Sequence, residues 1–158
     1  MDVSPIGYFF SRDLQMAINQ PIGFITSAFG ASCAQAWVSK DVLGGDPRLK
    51  QIMDGFAMQV AAFKTATAAA ANAPAPPANE PPTQARGGRG GRRGPANPFT
   101  NQHNPYVLWN AMIKPIQPYA IKGVLWDHGE SITEGLDLYP VVMEHVITSW
   151  RKQWGQGN

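Results

Sequence analysis

The sequence predicts an α/β fold with parallel strands. Three observations carry that expectation: two short apolar runs, residues 22–29 (IGFITSAF) and 121–126 (IKGVLW), helical periodicity before and after each, and a polar Gly-containing turn closing each run.

In residues 6–18, Phe9, Phe10, Leu14, Met16 and Ala17 recur mostly at three- and four-residue steps, the pattern of an amphipathic helix that Asn19, Gln20 and Pro21 then stop. The run 22–29, bounded by Pro21 and Gly30, reads as a strand buried on both faces, with Gly30 opening a tight turn. CAQAW from Cys33 can begin a helix. After the Gly44-Gly45-Asp46-Pro47 break, Ile52, Met53, Phe56, Val60 and Phe63 give a longer helix from Arg48 to about Ala71, its alanine-rich end retaining helix propensity without a packing face. YVLWNAMI from Tyr106 reads as a short helix, 121–126 as the second buried strand, and residues 138–154 as a final helix with Val142, Val146, Ile147, Trp150 and Trp154 on one side. Two strands leave their own edges unpaired, so the pattern reads as part of a fold.

The chain has 158 residues, about one domain's worth. Most of the 14 Pro and an Arg-Gly run fall between residues 66 and 105, which hold almost no large apolar side chain. This stretch is expected to be a disordered Ala/Pro/Gly/Arg-rich insertion dividing one domain into a first part, 1–65, and a second, 106–158. Thirteen Lys and Arg against 11 Asp and Glu give a net charge of +2 and a pI near 8.8. Four of those cations (Arg86, Arg89, Arg92, Arg93) and one anion (Glu80) lie in the insertion, leaving the foldable part close to neutral, with no global basic field. A single cysteine, Cys33, excludes an intrachain disulfide, and no Cys/His cluster has zinc-site spacing. No apolar run approaches the roughly 18 to 20 residues of a membrane span, and MDVSPIGYFF lacks the basic and apolar regions of a signal peptide.

Ligands of parallel α/β sheets gather at the carboxyl ends of the strands. The two turns there are Ser27-Ala28-Phe29-Gly30-Ala31-Ser32-Cys33 and Trp126-Asp127-His128-Gly129-Glu130-Ser131. Gly129-Glu130-Ser131 imitates the start of a nucleophile elbow, but Thr133 stands where its second Gly belongs, so Ser131 reads as a turn hydroxyl. His103, before Tyr106, and His145, in the last helix, have no sequence neighbours that would make a triad. Trp37, Trp109, Trp126, Tyr106 and Tyr119 could form the floor of a binding site, although such residues more often fill cores. Trp37, following the Gly30 loop, is the best placed to line a cleft.

Taken together and in order, these segments resemble the sialate O-acetylesterase family of carbohydrate esterases, in the SGNH hydrolase superfamily. PIGYFFSRDLQMAINQPIGFITSAFGASCAQAW resembles the family's helix, strand and "SSWGGTPxEAW"-like loop. IKPIQPYAIKGVLWDHGESI resembles its "IxPLxPYAIKGxxWYQGESN" segment, and LYPVVMEHVITSWRKQWGQGN the helix that follows. The resemblance implies the central portion of a three-layer α/β/α, flavodoxin-like domain and hydrolysis of acetyl esters on sugars, sialic acid above all. It implies a serine nucleophile, an oxyanion hole, no metal and no organic cofactor, with an extracytoplasmic location for the full-length family member. Gly30 matches the glycine whose N–H contributes to the oxyanion hole, and His128 stands where the family has a Gln donor. Glu130 matches a supporting acid, and Ile132 replaces an Asn. The family's Gly-Gln-Ser-Asn-like nucleophile motif and its Asp-x-x-His motif do not occur in these 158 residues, so the chain by itself is expected to be inactive.

A competing class is a non-catalytic remnant or binding module. The run Arg86-Gly87-Gly88-Arg89-Gly90-Gly91-Arg92-Arg93-Gly94 is similar to an RNA-binding RGG segment, but it is short and holds no aromatic residue. Weak, salt-dependent RNA binding is the most it predicts.

Overall fold

Pro5, preset for a first helical turn, and Ser4, whose hydroxyl accepts from the Gly7 N–H at 3.3 Å, start helix α1, Pro5–Ile18. Asn19 ends it in the left-handed conformation, φ 52°. This computed structural model describes residues 4–72, 96–129, 131 and 136–157. A single 3-10 turn, Ala34–Trp37, and helix α2, Lys40–Gly45, follow. Asp46 then accepts the Arg48 N–H and opens a short turn into α3, Lys50–Ala71. Beyond residue 96 come a π-helical turn at Trp109–Ile113 and the last helix, α4, Tyr139–Gln153, which ends in Arg151 and Lys152 as the helix dipole favours.

The core is small and central. Ala34, Ala36, Trp37 and Val38 meet Leu43 of α2, Leu49 before α3, Leu108, Trp109 and Ile113 of the π-helical turn, and Val142, Val146 and Trp150 of α4. The three α4 residues fall at four-residue steps, one stripe of the helix. Midway along α4, His145 Nε2 lies 2.8 Å from Asp46 Oδ2, tying that helix to the turn before α3.

The parallel α/β sheet expected from the sequence is overturned. Every regular element among the described residues is helical, and no strand is present among them. The physical reason is the one that made two strands look incomplete: a strand exists only within a ladder. Among the described residues no backbone hydrogen bond joins residues 22–29 or 121–126 to a neighbour. Their apolar side chains, expected in a sheet interior, stay half exposed, including Phe24, Ile25, Phe29, Val124 and Leu125. Helix α1 forms where its periodicity placed it, yet Tyr8, Phe9 and Phe10 are also half exposed, while the Phe24 ring of the 22–29 strip lies over Gly7.

The boundaries of the insertion also shift. Residues 66–71 continue α3, and residues 96–105 pack against the molecule, with Pro98 and Asn104 buried. Asn104 Nδ2 donates to Pro98 O at 2.7 Å and to Gln59 Oε1 at 3.2 Å. The Arg-Gly run and most of the prolines lie outside the described residues.

The Asp46 cluster predicts how the fold responds to acid. The Arg48 guanidinium, 2.6 Å from Asp46 Oδ2, and then the His145 ring hold this carboxyl far below the usual carboxylate range. A carboxyl so depressed stabilises the fold above its unfolded value of about 4 and loses that contribution as pH falls toward its folded value. Urea midpoints measured from pH 7 down to about pH 2 are therefore expected to fall more steeply for the natural chain than for Asp46→Asn. Parallel acid limbs would show that the cluster does not contribute.

Candidate functional site

Two loops distant in sequence are clamped together by one imidazole. His128 Nε2 lies 3.0 Å from the Ser32 carbonyl oxygen and its Nδ1 lies 3.0 Å from the Tyr139 hydroxyl. A carbonyl only accepts, so Nε2 carries the proton of the neutral ring and donates it to Ser32, leaving Nδ1 to accept from Tyr139. The Tyr139 ring stacks on the imidazole, 5.4 Å between centroids and 9° between planes. Residues 126–128 are thereby fastened to the Gly30 loop and to the first turn of α4.

The Gly30 loop is held from its other sides as well. Trp37 Nε1 donates to Ser32 Oγ at 3.0 Å, and Trp150 Nε1 donates to the Trp37 carbonyl at 3.0 Å. Gln35 Nε2 donates to the His103 carbonyl at 2.9 Å, and the Tyr106 N–H donates back to the Gln35 carbonyl at 3.0 Å. Cys33 Sγ and His103 Nδ1 are 3.3 Å apart. The left-handed backbone of the loop falls on Ala31, φ 53°, next to Gly30.

Gly30 is exposed, and a Cβ added there would meet nothing within 4 Å. His128 is brought to within two residues of it along the loop, through Ser32. Both ring nitrogens are occupied, so His128 can donate to a ligand only by releasing Ser32. Trp37, placed by sequence on a cleft wall, is 4% exposed and belongs to the core, where its ring meets Trp126 edge-on at 6.1 Å. Trp109 is likewise buried, whereas Tyr119 is largely exposed. Glu130 lies outside the described residues. No group of three or more His, Cys, Asp or Glu among the described residues could hold a metal ion, and no helix among them is long and apolar enough to cross a membrane.

Sequence reasoning missed Tyr139, Ser32, the Cys33–His103 pair and the Asp46–His145 pair. The last two pairs join residues 70 and 99 positions apart, and no local spacing signals such a contact. Tyr139 carried the nearest thing to a signal, an aromatic hydroxyl at the entry to an amphipathic helix.

No family model matches the chain, and no solved structure matches it. The curated proteins it matches are esterases. Sialate O-acetylesterase of Mus musculus is 26% identical over 159 residues, covering 99% of this chain and 26% of its own length. That of Rattus norvegicus is 27% identical over 168 residues, covering 98% of this chain and 26% of its own length. The Homo sapiens protein is 26% identical over 159 residues, covering 99% of this chain and 22% of its own length. Over nearly its full length, then, the chain is similar to sialate O-acetylesterases, and it spans about a quarter of the length of those it matches.

Proposed function

We propose that this chain is part of a serine-type carbohydrate esterase that removes acetyl groups from O-acetylated sialates. Its two halves form one domain and contribute the oxyanion side of the site: Gly30 through its backbone N–H, His128 through its ring, and Glu130 in support. The nucleophilic serine and the catalytic histidine are not among its residues, so it binds the substrate without turning it over.

The observation that carries this reading is the clamp between the two loops that bear the resemblance. Ser32 and His128 stand 96 residues apart, yet they meet at 3.0 Å. One specific observation favours a second reading, a non-catalytic binding module: in this arrangement both nitrogens of His128 are already engaged.

Thermal unfolding of the 158-residue chain with O-acetylated and with unmodified N-acetylneuraminic acid tests the proposal, alongside acetate release. The expected result is a larger rise in Tm with the acetylated sugar and no acetate above buffer. Equal shifts with the two sugars would remove the acetyl-ester assignment. Turnover that His128→Ala abolishes would show that the chain is itself an enzyme.

A further inference from the structure

The one cysteine of the chain stands beside a base. Cys33 Sγ lies 3.3 Å from His103 Nδ1, and the Gln102 side-chain amide lies 3.4 Å from the other ring nitrogen, Nε2. A nucleophile within reach of a base, whose far side meets a third polar group, is the general pattern of an activated side chain. The ring can take the thiol proton at Nδ1, and an amide can accept the Nε2–H that the ring then presents. The thiolate is the form of a cysteine that attacks.

Two stretches far apart in sequence hold this arrangement. The Cys33 N–H donates to the Gln102 carbonyl at 3.4 Å, and the Tyr106 N–H donates to the Gln35 carbonyl at 3.0 Å. The His103 N–H donates to Asn101 Oδ1 at 3.0 Å. Gln35, only 4% exposed, turns its side chain to the same residue: its Nε2 donates to the His103 carbonyl at 2.9 Å, whereas its Oε1 is buried and meets no donor among the described residues. A buried acceptor without a donor is costly, and a group bringing an O–H would remove that cost. Cys33 is 8% exposed and His103 is exposed, so the sulfur is within reach of a small reagent and closed to a large one.

We propose that Cys33 is a modification site for small hydroperoxides, with His103 as its base and Gln102 steadying that base. The thiol proton passes from Sγ to Nδ1, and the sulfur attacks the terminal oxygen of the peroxide. An S–O bond forms as the O–O bond breaks, and the departing oxygen takes the proton from Nδ1 and leaves as water or an alcohol. The sulfur is oxidised by two electrons to a sulfenic acid, and the peroxide is reduced by the same two. The new hydroxyl is a donor in the turn that holds Gln35 Oε1. Neither the His128 clamp nor the esterase reading is needed for this chemistry.

Hydrogen peroxide is added to the 158-residue chain at neutral pH with dimedone, which traps sulfenic acids, and mass spectrometry follows labelling at Cys33. The same chain unfolded in urea gives the rate of this thiol without its neighbours. Direction separates activation from packing. Because Cys33 is buried, a substitution that merely loosens the loop exposes the sulfur and speeds labelling, whereas loss of the base slows it. The expected result is labelling at least tenfold faster in the folded chain than in the unfolded one, and at least tenfold slower in His103→Ala than in the natural chain, as removal of a general base implies. Gln102→Ala should be severalfold slower. Both substitutions keep the backbone bonds of residues 102 and 103, and circular dichroism checks that each variant is folded. A folded chain that labels no faster than the unfolded one, or a His103→Ala variant as fast as the natural chain, would overturn the proposal. An unchanged rate in Gln102→Ala would remove Gln102 from it.

Discussion

Replacing Trp150 by Ala is expected to cost about 3–5 kcal/mol of stability, the largest loss that any single substitution in this chain should produce. Trp150 is 8% exposed and its ring touches those of Trp109, Trp126 and Trp154. Its N–H satisfies the Trp37 carbonyl, which is the hinge between the 3-10 turn and α2. Truncation therefore opens a cavity where the α4 stripe, the π-helical turn and the 121–126 strip converge, and it leaves a buried carbonyl without its donor. Small domains have only about 5–15 kcal/mol in reserve, so the variant should be largely unfolded under conditions where the natural chain is folded. Trp150→Phe separates the two contributions, since it keeps most of the ring volume and loses only the N–H. It is expected to cost about 1–3 kcal/mol. Urea unfolding followed by circular dichroism measures both. An unchanged midpoint for Trp150→Ala would mean that the indole cluster is not the core of this molecule.

The same cluster shows why the helices were legible in the sequence and the sheet was not. Periodicity is a local signal: Val142, Val146 and Trp150 lie on one face whatever else the chain does, and α4 forms at Tyr139–Gln153, within the residues that the pattern marked. The same holds for α1 and α3. A strand depends on its neighbours. IGFITSAF and IKGVLW have the right composition, but composition cannot supply a partner strand, and neither segment is paired among the described residues. The partners of two histidines were hidden for the matching reason. His103 and His145 show no partner nearby in the sequence because the groups they meet, Cys33 and Asp46, are 70 and 99 residues away. The site was legible only as two loops that resembled parts of one family, and what joins them is visible only in three dimensions.

That junction is the subject of the second large effect. His128→Ala should free the 124–129 strip from the Gly30 loop, whereas His128→Gln should not. The two bonds of His128 ask for one donor, toward the Ser32 carbonyl, and one acceptor, toward the Tyr139 hydroxyl. A neutral imidazole offers that pair through Nε2–H and Nδ1, and a primary amide offers it through its NH₂ and its carbonyl oxygen. The resemblance set His128 where esterases of that kind are expected to have Gln, and either side chain can meet this one hydrogen-bonding role. Ala meets neither half of it. Each bond is worth on the order of 1 kcal/mol, so losing both should raise the population of locally opened strip by about tenfold or more. Hydrogen exchange at residues 124–129 and at Ser32 and Cys33, or limited proteolysis of the strip, reads that population directly. Gln at position 128 is expected within about twofold of the natural rate, with Ala at least tenfold faster and global unfolding shifted much less than in Trp150→Ala. If Gln opens the strip as fast as Ala, the hydrogen bonds are incidental and the stacking of the imidazole on Tyr139, which Gln cannot reproduce, is what holds the two loops together. If neither variant opens it, the Trp37–Trp126 contact alone is the clamp, and His128 is then free to turn its Nε2–H toward a ligand.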